Sequence, residues 1–275
     1  VFLVYPANAK YADAYSYKWR QKLNSWAPWP AGLLRQNGKF VLMFAISSSN
    51  ADFLAPENRE GLVKLTEHME DLRQTIGAKR KTFAGILPGV LYGKRIIRET
   101  SEADVTAEAV MQAVSRILEK EQLPKDTRII VLGGKGFIGR RVVAALETDD
   151  ERVSCVDLTN GGANVWPHHW RGQPTILVNV TTNSVIADYI DLMWPGMVVL
   201  NEVYPEPRPE VLVQLALKGC RCYHVVGVEA LAIPPFPAAY RGAVPCCAAW
   251  PSSDMKVVIK QLILADRPRD RLKAP

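Results

Sequence analysis

One stretch constrains this chain more than any other: Ile129-Ile-Val-Leu-Gly-Gly-Lys-Gly-Phe-Ile-Gly-Arg-Arg141, an apolar run that breaks into closely spaced glycines and then resumes with helical texture. Residues 128–132 have the length and composition of a buried strand, and 137–147 read as the helix that follows it. A second short strand, 152–156, leads into Asp157, a carboxylate 18 residues beyond Gly139. Strand, glycine turn, helix and strand in this order make a βαβ unit whose glycines have separate tasks. Gly134 permits the tight turn, Gly136 lets a phosphate approach the backbone, and Gly139 lets the helix pack on the strand. The helix start adds free N–H groups and a positive dipole end. Gly134, Lys135, Gly136, Phe137, Ile138 and Gly139 are therefore expected to hold the pyrophosphate of a dinucleotide. Asp157 suits the two ribose hydroxyls of NAD and repels a 2′-phosphate, whereas Arg140 and Arg141 leave NADP open; the balance tips slightly to NAD.

The rest of the second half repeats the alternation. Segments 175–180, 197–200 and 221–226 read as strands, with a helix at 208–218 between the last two. Short, nearly continuous apolar strands alternating with helices imply a parallel sheet covered on both faces. Residues 105–245 are thus expected to form a doubly wound, Rossmann-type NAD(P)-binding domain. Residues 1–104 read as a separate α/β unit, with strands at 1–5, 39–46 and 82–87 and a helix at 9–23. Pro56 opens a further helix in which Leu62, Leu65, Met69, Leu72 and Ile76 share a face, and Gly77 ends it. A long helix capped by Ser101-Glu-Ala-Asp104 carries Val110, Ala113, Val114, Ile117 and Leu118 on one face. Residues 246–265 read as a final helix, and 246–275 would pack back on the first unit. The fold class is α/β: an N-terminal α/β substrate domain plus a C-terminal doubly wound parallel-sheet domain.

Charge narrows the partners. Lys plus Arg number 34 against 28 Asp plus Glu, but the excess is scattered, its densest cluster being Lys79-Arg80-Lys81. Nucleic acid is accordingly not expected as a partner. No apolar run approaches the roughly 18 residues that span a bilayer. Five unevenly spaced cysteines do not make a disulfide framework, which points to a reducing cytoplasm. No metal is expected: Cys220-x-Cys222 and Cys246-Cys247 lack the usual ligand spacing, and His168 and His169 point apart in an extended loop.

Beyond the glycine turn, the chain resembles the shikimate dehydrogenase family. Val178-Asn179-Val-Thr181-Thr182 is similar to that family's strand ending in Asn-Ala-Thr beside the nicotinamide. Val198-Val-Leu-Asn-Glu-Val-Tyr204-Pro205 resembles its strand ending in Asp-x-x-Tyr-x-Pro, and Gly227-Val-Glu-Ala-Leu231 its Gly-x-x-Met-Leu segment. The whole chain also resembles the cyanobacterial-type long-chain acyl-carrier-protein reductases, through Gly38-Lys39, Phe53-Leu-x-Pro56-Glu57, Phe83-Ala-Gly85 and Val226-Gly-Val-Glu229. Both resemblances imply an N-terminal substrate domain, a C-terminal Rossmann domain and an active site in the cleft. They place Asn179, Thr181, Tyr204 and Gly227 near the nicotinamide. The dehydrogenases' Lys-Asp pair has its nearest counterpart in Lys79 or Lys81 with Asp104. The reductases' Phe-Thr-Ser is replaced here by Ile86-Leu-Pro88, and their nucleophilic cysteine has Cys246 or Cys247 in a similar place.

The residues themselves leave the acid/base open. Tyr204 ends a parallel strand, where open α/β sheets bind ligands. Cys246 or Cys247 would be a thiolate nucleophile if a cation such as Arg241 activated it, and is otherwise a small buried residue. His224 alternates within a strand and is a core or proton-donating histidine. The expectation is an NAD(P)-dependent oxidoreductase that moves a hydride to or from a carbonyl or alcohol. Its small-molecule substrate, acidic or a thioester, would lie between two domains, and a homodimer is compatible with this. The competitors are a thioester reductase with a cysteine nucleophile and a non-catalytic nucleotide-binding module.

Overall fold

The computed structural model describes residues 1–6, 18–98, 100–146, 150–182, 185–237, 240, 242–251 and 255–263. The chain is mixed α/β and divides into two compact units, Val1–Ala109 with Val226–Val257 and Val110–Val225 with Val258–Pro275. Among the described residues no helix is long and apolar enough to cross a membrane.

The first unit is built on a mixed five-stranded sheet. Strand β1 (Phe2–Val4) lies parallel to β3 (Lys39–Ala45) and to β4 (Thr82–Phe83), while β2 (Trp29–Gln36) runs antiparallel to β3 and to β10 (Leu231–Ile233). Helices α1 (Lys18–Leu23), α2 (Asn50–Leu54), α3 (Arg59–Ile76) and α4 (Leu87–Gly93) also belong here. Leu3 and Phe44 of the sheet share a core with Phe53, Leu62, Leu65, Met69, Leu87 and Leu91. Alternate residues Phe2, Val41 and Met43 enter a second core with Leu34, Ala232 and Val244, as a period of two requires. The expected face of α3 is buried at Leu62, Leu65 and Met69, and Gly77 closes the helix with φ +69°.

Three expectations need correction. Residues 82–87 are not one strand: pairing stops at Phe83, Gly85 turns with φ +54°, and α4 starts at Leu87 with a proline in its first turn. A proline there needs no N–H partner. Strand β2 is not among the expected elements: its Pro30 disfavours a strand in sequence, but the proline sits where the register shifts between Pro30 and Gly32, as strand prolines do. The helix expected over 246–265 gives way to a strand, β12 (Val257–Gln261), which pairs with β9 (Arg221–Glu229). Its β-branched run Val257-Val258-Ile259 suits a pleated edge better than a helix. Of the helix expected over 9–23, residues 18–23 form α1 and 9–17 lie outside the described residues, as do residues 264–275 of the expected C-terminal helix.

The second unit holds a parallel set in the order β9-β8-β7-β5-β6, formed by β5 (Arg128–Leu132), β6 (Val153–Val156), β7 (Thr175–Asn179), β8 (Val198–Asn201) and the first half of β9. Beyond Val225 strand β9 continues into the first unit, where Val228 and Glu229 pair with β11 (Ala243–Val244). Helix α5 (Ser101–Lys120) likewise begins in one unit and ends in the other. Helices α6 (Gly139–Leu146) and α7 (Pro209–Leu217) connect strands, but β6 and β7 are joined by three short 3-10 turns. Those turns bring Trp166 and Trp170 into a core with Ile186, Tyr189, Trp194, Leu177 and Val199.

Candidate functional site

The chain order reverses at β5, which has β6 on one side and β7 on the other. In open α/β sheets a crevice opens there, outside the carboxyl ends of the strands. The glycine turn leaves β5 at that point. Gly133 adopts φ +87° and donates its N–H to the Val156 carbonyl at 2.8 Å; a Cβ on it would overlap the Thr181 side chain. The positive φ therefore falls on Gly133, one residue before the glycine to which the spacing assigns the turn. Gly134 is instead required for packing, since a Cβ there would strike Cys155 Sγ of β6. The Gly136 N–H bonds the Gly133 carbonyl at 2.9 Å, and a Cβ on Gly139 would overlap that same carbonyl oxygen. Helix α6 thus begins directly against the turn. Lys135 is exposed, Phe137 and Ile138 are half-buried, and the Arg141 guanidinium donates to the Phe137 carbonyl at 2.8 Å.

Asp157 closes the turn from the end of β6. Its Oδ2 accepts the Lys135 N–H at 3.1 Å, and its Oδ1 accepts the N–H and hydroxyl of Thr159 at 3.0 and 2.8 Å. Burial works against its charge, but the hydrogen bonds from Thr159 and Lys135 outweigh it and hold the carboxyl below the usual range. Beside it, Leu158 leaves 79% of its surface exposed, an apolar side chain at the mouth of the turn.

A buried polar chain runs across the carboxyl ends of β7 and β8 to the middle of β9. Asn179, Asn201 and His224 are level in the strand register. Asn179 Nδ2 donates to Asn201 Oδ1 at 2.8 Å, and its Oδ1 accepts the N–H and hydroxyl of Thr181 at 3.2 and 2.7 Å. Asn201 Nδ2 donates to the Val203 carbonyl at 2.7 Å, and His224 Nδ1 lies 3.0 Å from both Nδ2 and the carbonyl of Asn201. Burial lowers the affinity of His224 for a proton and keeps its ring neutral. The ion pair of Glu206 and Lys260, at 2.8 Å, acts on it with opposing charges. Directly after β8, Glu202 donates its N–H to the Asn179 carbonyl at 3.1 Å, and burial pushes its carboxyl up to about 7. Tyr204 follows, half-buried.

The glycine loop, Asp157, Asn179 and Thr181 are thus brought to one edge of the second unit. Other sequence-predicted residues lie elsewhere in the chain. Gly227 stands three residues past His224 and belongs to the first unit, where a Cβ would overlap the Val244 carbonyl, so its glycine has a packing reason. Cys246 and Cys247 occupy a short 3-10 turn of the first unit, half-buried, with Cys247 against the core of Phe2, Val41 and Met43. Lys81 pairs with Glu70 at 2.8 Å, and Asp104 is exposed in the first turn of α5. Burial pushes the thiols of Cys220 and Cys222 up to about 11 and about 12, so neither is a thiolate at neutral pH. His168 and His169 are exposed, in a 3-10 turn, and Arg241 lies outside the described residues. Sequence reasoning passed over Asn201 and Glu202, although polar groups directly after an apolar strand were the available signal. No protein-family model matches the chain, and no curated protein matches it in sequence.

Proposed function

We propose that the second unit is a Rossmann-type domain and that the chain transfers a hydride between NAD or NADP and a carbonyl or alcohol substrate. The observation that carries this reading is the glycine turn at the point where strand order reverses, keyed shut by the Lys135 N–H on Asp157. A turn without a Cβ at Gly136, followed at once by a helix N-terminus, suits a pyrophosphate. Oδ1 of Asp157 is filled by Thr159, but Oδ2 keeps a lone-pair direction beyond the Lys135 N–H, so one ribose hydroxyl can donate there without displacing either. Leu158 offers an apolar wall for an adenine ring. These features favour NAD, and Arg140 keeps NADP in play.

The nicotinamide end would lie over Thr181 and the Asn179–Asn201–His224 chain, whose hydrogen bonds hold that edge rigid. When bound, the cofactor supplies the hydride. Glu202, poised near neutral pH by burial, is the group suited to exchange the accompanying proton. The resemblance to shikimate dehydrogenases and to acyl-carrier-protein reductases supports the same class of chemistry. Titration with NADH and NADPH, followed by nucleotide fluorescence in the wild type and in Asp157→Ala, tests the reading. NADH is expected to bind, and to bind at least tenfold more weakly to the variant. Failure of both nucleotides to bind the wild type overturns the proposal, and tighter binding of NADPH overturns the role of Asp157.

A further inference from the structure

The run Lys79-Arg80-Lys81 is not used by the proposed reaction, and its three charges have different fates. Lys81 pairs with Glu70 at 2.8 Å, a carboxylate that it shares with Arg73. Lys79 and Arg80 instead border a cavity of about 370 Å3 in the first unit, together with Lys39, Phe40, Thr82 and Trp250. Among the described residues no carboxylate lines it, and neither Lys39 nor Lys79 has an acidic partner. Arg80 donates to the Ser101 hydroxyl at 2.6 Å. Glu102 acts on Arg80 at a distance but is engaged by the Phe83 N–H at 2.9 Å. The indole of Trp250 gathers two of these cations, Lys39 Nζ at 4.9 Å and Arg80 Cζ at 5.2 Å from its ring centroid. Its backbone is fixed by the Gln36 side chain at 2.8 Å, and its Nε1 is buried with no hydrogen-bond partner among the described residues. Phe40 adds an apolar wall, 61% exposed.

Cations gathered at one cavity, two of them without an acidic partner, repel one another, an arrangement that an anion relieves. A phosphate suits both the forked guanidinium and the point charges of lysine. The volume is at the lower end for small-molecule sites, enough for a mononucleotide. We propose that this cavity binds a nucleoside diphosphate, its phosphates on Lys39, Lys79 and Arg80 and its ring against Phe40 and Trp250. The site lies wholly within the first unit and does not depend on the dinucleotide reading of the glycine turn.

Calorimetric titration with ADP, pyrophosphate and adenosine, on the full chain with saturating NADH present, tests this. ADP is expected to bind the wild type more tightly than pyrophosphate does, and adenosine hardly at all. In the Lys39→Glu, Lys79→Glu double variant ADP affinity is expected to fall at least tenfold, with NADH binding and thermal melting unchanged. Both side chains are exposed, so the fold should tolerate their replacement. Absence of ADP binding to the wild type, or equal ADP affinity in the double variant, overturns the proposal. Pyrophosphate binding as tightly as ADP overturns the role of Phe40 and Trp250. If NADH fails to bind while ADP binding still depends on Lys39 and Lys79, only the dinucleotide reading falls.

Discussion

At Gly139 a single hydrogen stands where any side chain would overlap the Gly133 carbonyl oxygen. The clash is with backbone, so no rotamer relieves it, and Gly139→Ala should cost about 1–3 kcal/mol of stability. A lowered melting temperature together with loss of NADH binding checks this; an unchanged melt would show that the helix start can shift. Glu202 gives a prediction of a different kind. Burial raises its carboxyl from the usual 4.5 to about 7. The folded state therefore holds a proton that the unfolded state has released between those values, and stability falls as pH rises through that window. Above it the full loss remains. Glu202→Gln removes the ionisation, so the variant should gain on the order of 2 kcal/mol over the wild type at pH 8 and nothing at pH 4. Melting curves across this range measure the difference, and a constant difference would refute it. The glycines and Asp157 were legible because their spacing along the chain is itself the signal. Asn201 and Glu202 were not, because their roles come from level registration with Asn179 and His224 on other strands.

Elements were legible where one local rule sufficed. Helix α3 has a four-turn apolar stripe and a glycine that must take φ +69°, both written in sequence. Gly77→Ala should therefore lower stability by about 1 kcal/mol, through left-handed strain, while leaving nucleotide binding intact. Equal melting temperatures would contradict this, since a Cβ there meets nothing that could hold it. Strand β2 was hidden by Pro30, although Asn37-Gly38, with φ of 47° and 75°, is the two-residue hairpin signal that leads back to it. Strand β12 was hidden by a spacing of Met255, Val258, Ile259 and Leu262 that fits a helix equally well. Pairing with β9 decides between the two, and a partner strand leaves no mark in a local window.

For the molecule as a whole, the α/β class could be read from alternating apolar segments, but the path of the chain between its two units could not. The first unit recruits residues 226–257 from beyond the second, and with them β10, β11 and Trp250. A fragment ending at Ala109 would leave β2 without β10 and the core of Phe2, Val41 and Met43 without Ala232 and Val244. It should lack a cooperative thermal transition, whereas the same fragment joined by a short linker to residues 226–257 should regain one. Circular dichroism melts of both would decide, and a sharp transition in the shorter fragment would count against it.

Among the described residues the parallel set of the second unit stops at β6, four residues long, with no strand beyond it in the sheet. Such a margin is an invitation to self-association, because its outward amides and carbonyls can template a neighbouring chain. Brevity is one safeguard, and the 3-10 turns that flank β6 on both sides are another. Resistance of this margin to pairing therefore rests on a few residues far from any chemistry, and lengthening β6 with apolar residues should promote self-association, read by light scattering at rising concentration.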